Sequence, residues 1–275
     1  MILRRLAQHV TDQNWFAVVL DFFIVVFGVF LGIQIGNWNS ERALQQRAGV
    51  FERQLRAELA METVNYTFAT RYFADVQANG EAVLMDAEGV HVLADEVYLI
   101  KAFRATQYTG SFRMRYAFED IVAAGVADRI KDSSLWNTAL MVYTWTWQEV
   151  AVEETQSSAY RRLFRATVPL DVQRDARLRC GDRDLNSGIP EDVDAFYAFE
   201  FVVLDYPCTL SVAADRIAFA AKALREADGL EPALRHRIAE LDNSNALMAN
   251  IHDNLIPWRM SSPEYAQILA ARGEP

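Results

Sequence analysis

The run from Phe16 to Gly36, FAVVLDFFIVVFGVFLGIQIG, constrains this chain more than any other feature. It holds 21 residues and a single charge, Asp21. At a helical rise of about 1.5 Å per residue it is ~31 Å long, which matches the hydrocarbon core of a bilayer. Trp15 and Trp38 flank it, where indole rings settle at membrane interfaces. A core helix of a soluble protein is seldom apolar on every side over this length. A cleaved secretory signal is the other rival, but the run is long for one and no Ala-x-Ala-type site follows. Instead Asn37-Trp38-Asn39-Ser40-Glu41 leads into a helical pattern. The expectation is an uncleaved transmembrane helix over 15–38, behind a short tail over 1–14.

Three glycines inside the run, Gly28, Gly32 and Gly36, are spaced by four, a doubled small-xxx-small pattern that lets two helix backbones approach closely in lipid. At 100° per residue, Asp21 projects within about 20° of both Gly28 and Gly32, and Ala17 lies near the same line. One face is therefore small and polar, while Phe22, Phe23, Phe27 and Phe30 fill much of the rest. A carboxylate in lipid costs a few kcal/mol unless it is paired, protonated or near the interface. A partner helix, a second copy or another protein, accounts for both features; the alternative is that glycine is common in spans and Asp21 reaches the headgroups.

Before Ser40 the charges cancel, Arg4 and Arg5 against Asp12 and Asp21, so the net charge of -10 belongs to the segment that follows. An acidic domain repels phosphate backbones, which argues against nucleic acid as a partner. Orientation is less determined. Arg42, Arg47, Arg53 and Arg56 after the span outnumber Arg4 and Arg5, and basic flanks favour the cytoplasm. Yet those four alternate with Glu41, Glu52 and Glu58, with which they can pair along a helix.

The segment Asp21 through Glu41 resembles the start of a family of uncharacterised bacterial single-span membrane proteins. In that family an acidic residue early in the span and a central glycine precede a Gln and an Asn-Trp-Asn. They are matched here by Asp21, Gly28, Gln34 and Asn37-Trp38-Asn39. Gly36 departs from the pattern, since the family usually carries asparagine there. A second stretch, Ala117-Phe118-Glu119-Asp120-Ile121 with Gly125, Ile130, Leu135 and Leu140, is also similar. The two stretches cover about 50 of 275 residues. The resemblance implies a cytoplasmic N-terminus and a domain in the periplasm, anchored in the bacterial inner membrane; it implies no activity.

Beyond the span, Leu44, Ala48, Phe51, Leu55, Leu59, Tyr66, Phe73 and Val76 recur at helical spacing with no proline between Ser40 and Gln77. Further helices are expected near His91–Gln107, Arg113–Ala124 with Gly125 as C-cap, and Leu135–Ala166 behind Asp132-Ser133-Ser134 as N-cap. Trp136, Leu140, Tyr143, Trp147 and Val150 would line one stripe of that last helix. Pro169–Pro190 reads as a long loop that could separate two subdomains, and Ala195–Leu204 is ambiguous between strand and helix. Thr209–Ala227, Pro232–Leu255 and Pro263–Ala271 read as helices, the last two with proline in the first turn. The fold expected is all-α: one N-terminal transmembrane helix followed by a helical-bundle soluble domain over 39–275.

Little in this domain announces chemistry. Glu88 and His91 form one Glu-x-x-His, whereas a di-iron bundle needs two, and Gly89 interrupts it. There is no Gly-x-Ser-x-Gly elbow, phosphate loop or His-Glu-x-x-His, so no catalytic residue, cofactor or metal is expected. His236 and His252 read as surface or core histidines. Seven arginines between Arg161 and Arg183 (161, 162, 165, 174, 177, 179, 183) could meet an anionic partner. Asp171, Asp175, Asp182 and Asp184 are mixed among them, and a self-neutralised solvated face is the preferred reading. Trp136, Tyr143, Trp145 and Trp147 are expected in the core rather than in a binding groove. Cys180 and Cys208 both look like loop positions, either bridged or free, and more readily bridged outside the cytoplasm. A membrane-anchored interaction or scaffold module follows, with an envelope enzyme or ligand sensor as the alternative.

Overall fold

The computed structural model describes residues 15–109, 115–145, 147–184, 202–204 and 206–259. It is helical except for one short ladder. The expected tail, the start of the third helix, 185–201 and the helix at 263–271 lie outside the described residues.

Helix α1 runs unbroken from Trp15 to Ala87. Its first part makes no core: from Val18 to Ile35 every large apolar side chain is exposed. An 18-residue window here has a mean hydropathy of 2.5 and no buried share, long and apolar enough to cross a membrane. Further along, the same helix becomes the spine of a folded domain. Ala48, Leu55, Leu59, Tyr66, Phe73 and Val76 are buried, and Leu44 and Phe51 pack against them, as the helical spacing predicts. The helix outlasts that stripe by three turns. It stops at Gly89, whose φ of +71 suits glycine, with Val90 N–H donating to Met85 O (2.9 Å) and Gly89 N–H to Asp86 O (3.0 Å), a Schellman ending.

Helix α2 (Asp95–Arg104) returns along α1, and α3 (Tyr116–Ala123) ends as expected at Gly125, φ +63. There Val126 N–H reaches Ile121 O at 3.2 Å, and both side chains are buried. After a 3-10 turn over Ala127–Arg129, the expected single helix over Leu135–Ala166 is in fact three: α4 (Ser133–Thr144), α5 (Trp147–Ser157) and α6 (Ala159–Thr167). Asp132 caps α4 by accepting Leu135 N–H at 3.0 Å. The break at Trp145 (ψ 127) falls in the alternating Tyr-Thr-Trp-Thr-Trp segment, whose β-branched residues favour extended backbone. At Ser158 the hydroxyl accepts Arg161 N–H at 3.1 Å, so a side-chain cap replaces helix continuation. The buried face of α4 is Leu135, Ala139, Val142 and Tyr143; of the expected stripe Tyr143 is buried, Trp136 packs against the core, Val150 is exposed and the Trp147 side chain lies outside the described residues.

The expected loop at Pro169–Pro190 is corrected as well. Its first half is helix α7 (Leu170–Cys180), which buries Val172, Ala176 and Cys180 at steps of four. Asp171 in its first turn and Arg177 and Arg179 in its last complement the helix dipole. Arg183–Asp184 (β1) then pairs antiparallel with Val202–Val203 (β2), in register Arg183 to Val203. Helices α8 (Ala214–Arg225) and α9 (Leu230–Arg259) complete the domain, and Pro232 stands in the first turn of α9 as predicted.

Helix α9 lies antiparallel along α1: Thr63 Oγ1 donates to Leu255 O (3.1 Å), Thr67 Oγ1 meets His252 Nε2 (2.9 Å), and Asn245 Nδ2 donates to Gln77 Oε1 (2.6 Å). Two core clusters form along this pair. One gathers α1, α3, α4 and the distal part of α9 around Leu55, Tyr66, Ile121 and Leu135. The other, at the far end of α1, gathers α2, α6, α7, α8 and the start of α9 around Tyr98, Tyr160 and Leu234.

Candidate functional sites

The apolar segment of α1 is the first candidate. Asp21, Gly28, Gly32 and Gly36 stand on it in open space: a Cβ added at any of the three glycines would meet nothing within 4 Å. Ala17 belongs to the same helix, though its side chain lies outside the described residues. Arg42 stacks over Trp38 at 5.8 Å, and the next arginines are engaged locally, Arg53 with Gly49 O (2.9 Å) and Arg56 with Asp132 (3.0 Å).

A second feature is the corner at the end of α7, where a disulfide joins Cys180 to Cys208 with their Cα atoms 5.5 Å apart. Arg104, buried at the end of α2, organises it. Its Nε donates to Cys180 O (3.3 Å), its Nη2 to Tyr206 O (2.8 Å), and its plane stacks on the Tyr206 ring at 4.9 Å. The Tyr206 hydroxyl donates to Gly181 O, and Tyr72 to Asp182 Oδ1 at 2.7 Å. Sequence reasoning missed Arg104 altogether, since nothing local distinguishes it from a surface arginine.

Two clefts among the described residues have strongly charged linings. One, of about 350 Å³, lies beside α1 and is lined by Gln45, Glu52, Arg53, Arg56, Arg129 and Lys131. Its charges are largely mutual: Arg129 bonds Glu41 through Nε and Nη2 (3.1 and 3.0 Å), and Arg56 lies 3.7 Å from Glu52, which also accepts the Lys131 backbone N–H (3.2 Å). Arg129 holds Glu41 below the usual carboxylate range, chiefly through its hydrogen bond.

The other cleft, of about 290 Å³, opens where α6 turns into α7 against the end of α2. Four of the seven arginines line it: Arg161, Arg165, Arg174 and Arg177. No carboxylate is among its lining residues. The self-neutralised, solvated face expected for this run holds only in part: Arg165, Arg174 and Arg177 are exposed and Arg179 pairs with Asp175 inside the run, but the other acids seen here answer to distant partners. Asp171 holds Arg216 of α8 at 2.7 Å, Asp175 accepts from the Ser211 hydroxyl (2.6 Å), and Asp182 takes the Tyr72 hydroxyl. Of the remaining arginines, Arg179 pairs with Asp175 (3.2 Å) and Arg162 turns back to Ser157 O. Arg161 donates to Thr106 O and stacks over Tyr108 at 4.8 Å. Burial, then the charge of Arg165, lowers its guanidinium from the ordinary value.

Some titratable groups are buried outside these clefts. Arg237 on α9 is 2% exposed, with Nε and Nη2 lacking a hydrogen-bond partner and Nη1 3.7 Å from Glu240. Burial pushes it down to about 10, against the pull of Glu240. Glu58 caps α3 by accepting Ala117 N–H at 2.8 Å, and burial raises its carboxyl to about 7. Among the described residues the histidines and tryptophans bring no catalytic or metal-binding group together. His236 meets Glu240 (3.1 Å), and Glu88 is taken by Arg235 rather than by His91. Trp136 stacks on Phe118 (5.3 Å), and Trp145 is half exposed. Among the described residues no group of three His, Cys, Asp or Glu could hold a metal ion. Compared with known proteins, the chain matches no family model, no curated protein and no solved structure.

Proposed function

We propose that the chain is a single-span inner-membrane protein, held by 15–38, that presents its helical domain to the periplasm as an interaction module. One observation carries the reading. A single helix is exposed at every residue over 18–40 and is the buried spine of a domain from Ala48 onward. Water would leave a continuous sleeve of Val, Ile, Leu and Phe uncovered, far beyond the patches soluble monomers expose. Lipid is the solvent that suits it. The likeness of Asp21, Gly28, Gln34 and Asn37-Trp38-Asn39 to bacterial single-span proteins supports the same assignment. The Cys180–Cys208 bond favours the periplasm, because such bonds persist in oxidising compartments and are rare in the cytosol. The face formed by Ala17, Asp21, Gly28, Gly32 and Gly36 is the surface through which this span pairs with a second copy or another transmembrane helix. A ligand sensor is the alternative, favoured by the arginine-lined cleft.

The test is a pair of C-terminal reporter fusions, one active only in the periplasm and one only in the cytoplasm, combined with alkaline extraction of membranes. Periplasmic activity and retention in the extracted membranes are expected. Cytoplasmic activity, or release into the soluble fraction without detergent, would overturn the reading.

A further inference from the structure

We infer that the cleft between α6 and α7 is a binding site for a small, freely diffusing organic phosphate that carries an apolar group. Two features define that ligand. The first is charge. Among the described residues Arg165, Arg174 and Arg177 have no side-chain hydrogen bond or ion-pair partner, and Arg161 beside them is held to Thr106 O and the Tyr108 ring. Four guanidinium groups in one cleft without a lining carboxylate form a concentration of positive charge on a chain whose net charge is -10. An acidic protein does not gather such a site by average composition, and its own acids are spent elsewhere, Asp171 on Arg216 and Asp175 on the 211–212 backbone. Planar guanidinium forks match phosphate oxygens two at a time, so a dianion engages more than one of them.

The second feature is the apolar side of the cleft. Phe103 and Phe164, with ring centroids 6.2 Å apart, belong to both the core and the lining. Leu170 is 59% exposed at the first residue of α7. A bare inorganic anion would leave Leu170 in water, whereas a ring or short chain attached to the phosphate covers it. The cleft volume of about 290 Å³ suits a ligand of that size rather than a polymer.

Height separates a diffusing ligand from a lipid headgroup. The end of α2 packs at the level of Gly80, where Ala105 lies 3.7 Å from an added Cβ. Gly80 is 44 residues beyond Gly36 on one continuous helix, about 65 Å at 1.5 Å per residue. Headgroups of the membrane that holds α1 do not reach that far.

The experiment uses the full chain in phosphatidylcholine nanodiscs, with phenyl phosphate as the probe, followed by calorimetric titration. Saturable binding is expected, with inorganic phosphate weaker and benzyl alcohol silent. Replacing Arg174 and Arg177 together (Arg174→Gln, Arg177→Gln) should weaken the affinity about tenfold or more, while Lys222→Gln on α8 leaves it unchanged. Arg165→Gln provides a second variant from the other helix. Leu170→Ser should weaken phenyl phosphate and spare inorganic phosphate. Absence of saturation, or equal affinity in the arginine variants, overturns the site. So does loss of the probe's binding when phosphatidic acid is added to the discs, which would assign the cleft to lipid headgroups.

Discussion

Removing the guanidinium of Arg225 should unlock the far end of the domain. Arg225, at the end of α8, reaches Asp86 in the last turn of α1, whose side chain is 2% exposed. Its Nε and Nη2 grip the two carboxylate oxygens at 2.8 and 3.2 Å. Its Nη1 meets Asp95 at 2.6 Å, its Nη2 also donates to Leu93 O at 2.9 Å, and its plane covers the Tyr98 ring at 4.2 Å. One side chain thus ties α8 to α1, α2 and the connection between them. Arg225→Met keeps most of the apolar stem but leaves the Asp86 carboxylate with only the Leu93 N–H, 2.7 Å away. Breaking a buried pair in this way costs about 3–5 kcal/mol. Arg225 is itself 27% exposed, so water can reach the vacated side, which places the loss at the lower end, about 3 kcal/mol. The Asp95 contact, 43% exposed on the acid's side, adds less than ~1 kcal/mol. For a domain of this size the melting temperature should fall by roughly 6–12 °C. Circular dichroism melts of the full chain in mild detergent read this directly. The cycle is completed by Asp86→Leu and by Arg225→Met combined with Asp86→Leu, which removes both charges. The double variant should be more stable than the sum of the singles by ~2 kcal/mol. Strict additivity, or a shift in Arg225→Met of only a degree or so, would refute the claim that this pair is a buried lock.

Two further outcomes are expected. In a membrane two-hybrid assay Gly32→Leu should reduce self-association several-fold while Val29→Leu leaves it near wild type, and equal signals from the two would remove the pairing face. Glu58 holds its proton up to about pH 7, chiefly because of burial, whereas in the unfolded chain it titrates near its ordinary 4.5. Folded chains therefore bind the proton more tightly, so Glu58's contribution is complete below about pH 4.5 and declines as pH rises to about 7. Glu58→Gln should flatten the stability profile across that window in pH-resolved melts, and an unchanged slope would show that another group sets it.

The apolar run, the stripe from Leu44 to Val76, the stop at Gly125 and the proline in the first turn of α9 were all legible in the sequence. Each depends on neighbours within a turn or two of helix, and local periodicity and capping carry that information. The ladder of buried residues at 172, 176 and 180 was legible too, but proline, glycine and many charges around it masked a short helix as a loop. The breaks at Trp145 and Ser158 had visible signals, a β-branched alternation and a serine three residues before the N–H it caps. Periodicity on both sides outweighed them.

Charge partners were a different matter. Asp171 and Arg216 are 45 residues apart, Asp86 and Arg225 are 139 apart, and Arg104 and Cys208 are 104 apart. Before the helices pack, an arginine has equal claim on every nearby aspartate, and the nearest ones lie in its own segment. Packing turned Asp171 and Asp175 toward α8 and its approach, buried Arg104 and Arg237, and left four arginines around one cleft. The sequence by itself determined the long apolar helix, the stripe it buries further on and the glycine and proline signals at helix ends, because each rests on neighbours within a turn or two. Only the tertiary structure decided which charges are answered, because that depends on contacts between residues the chain keeps far apart.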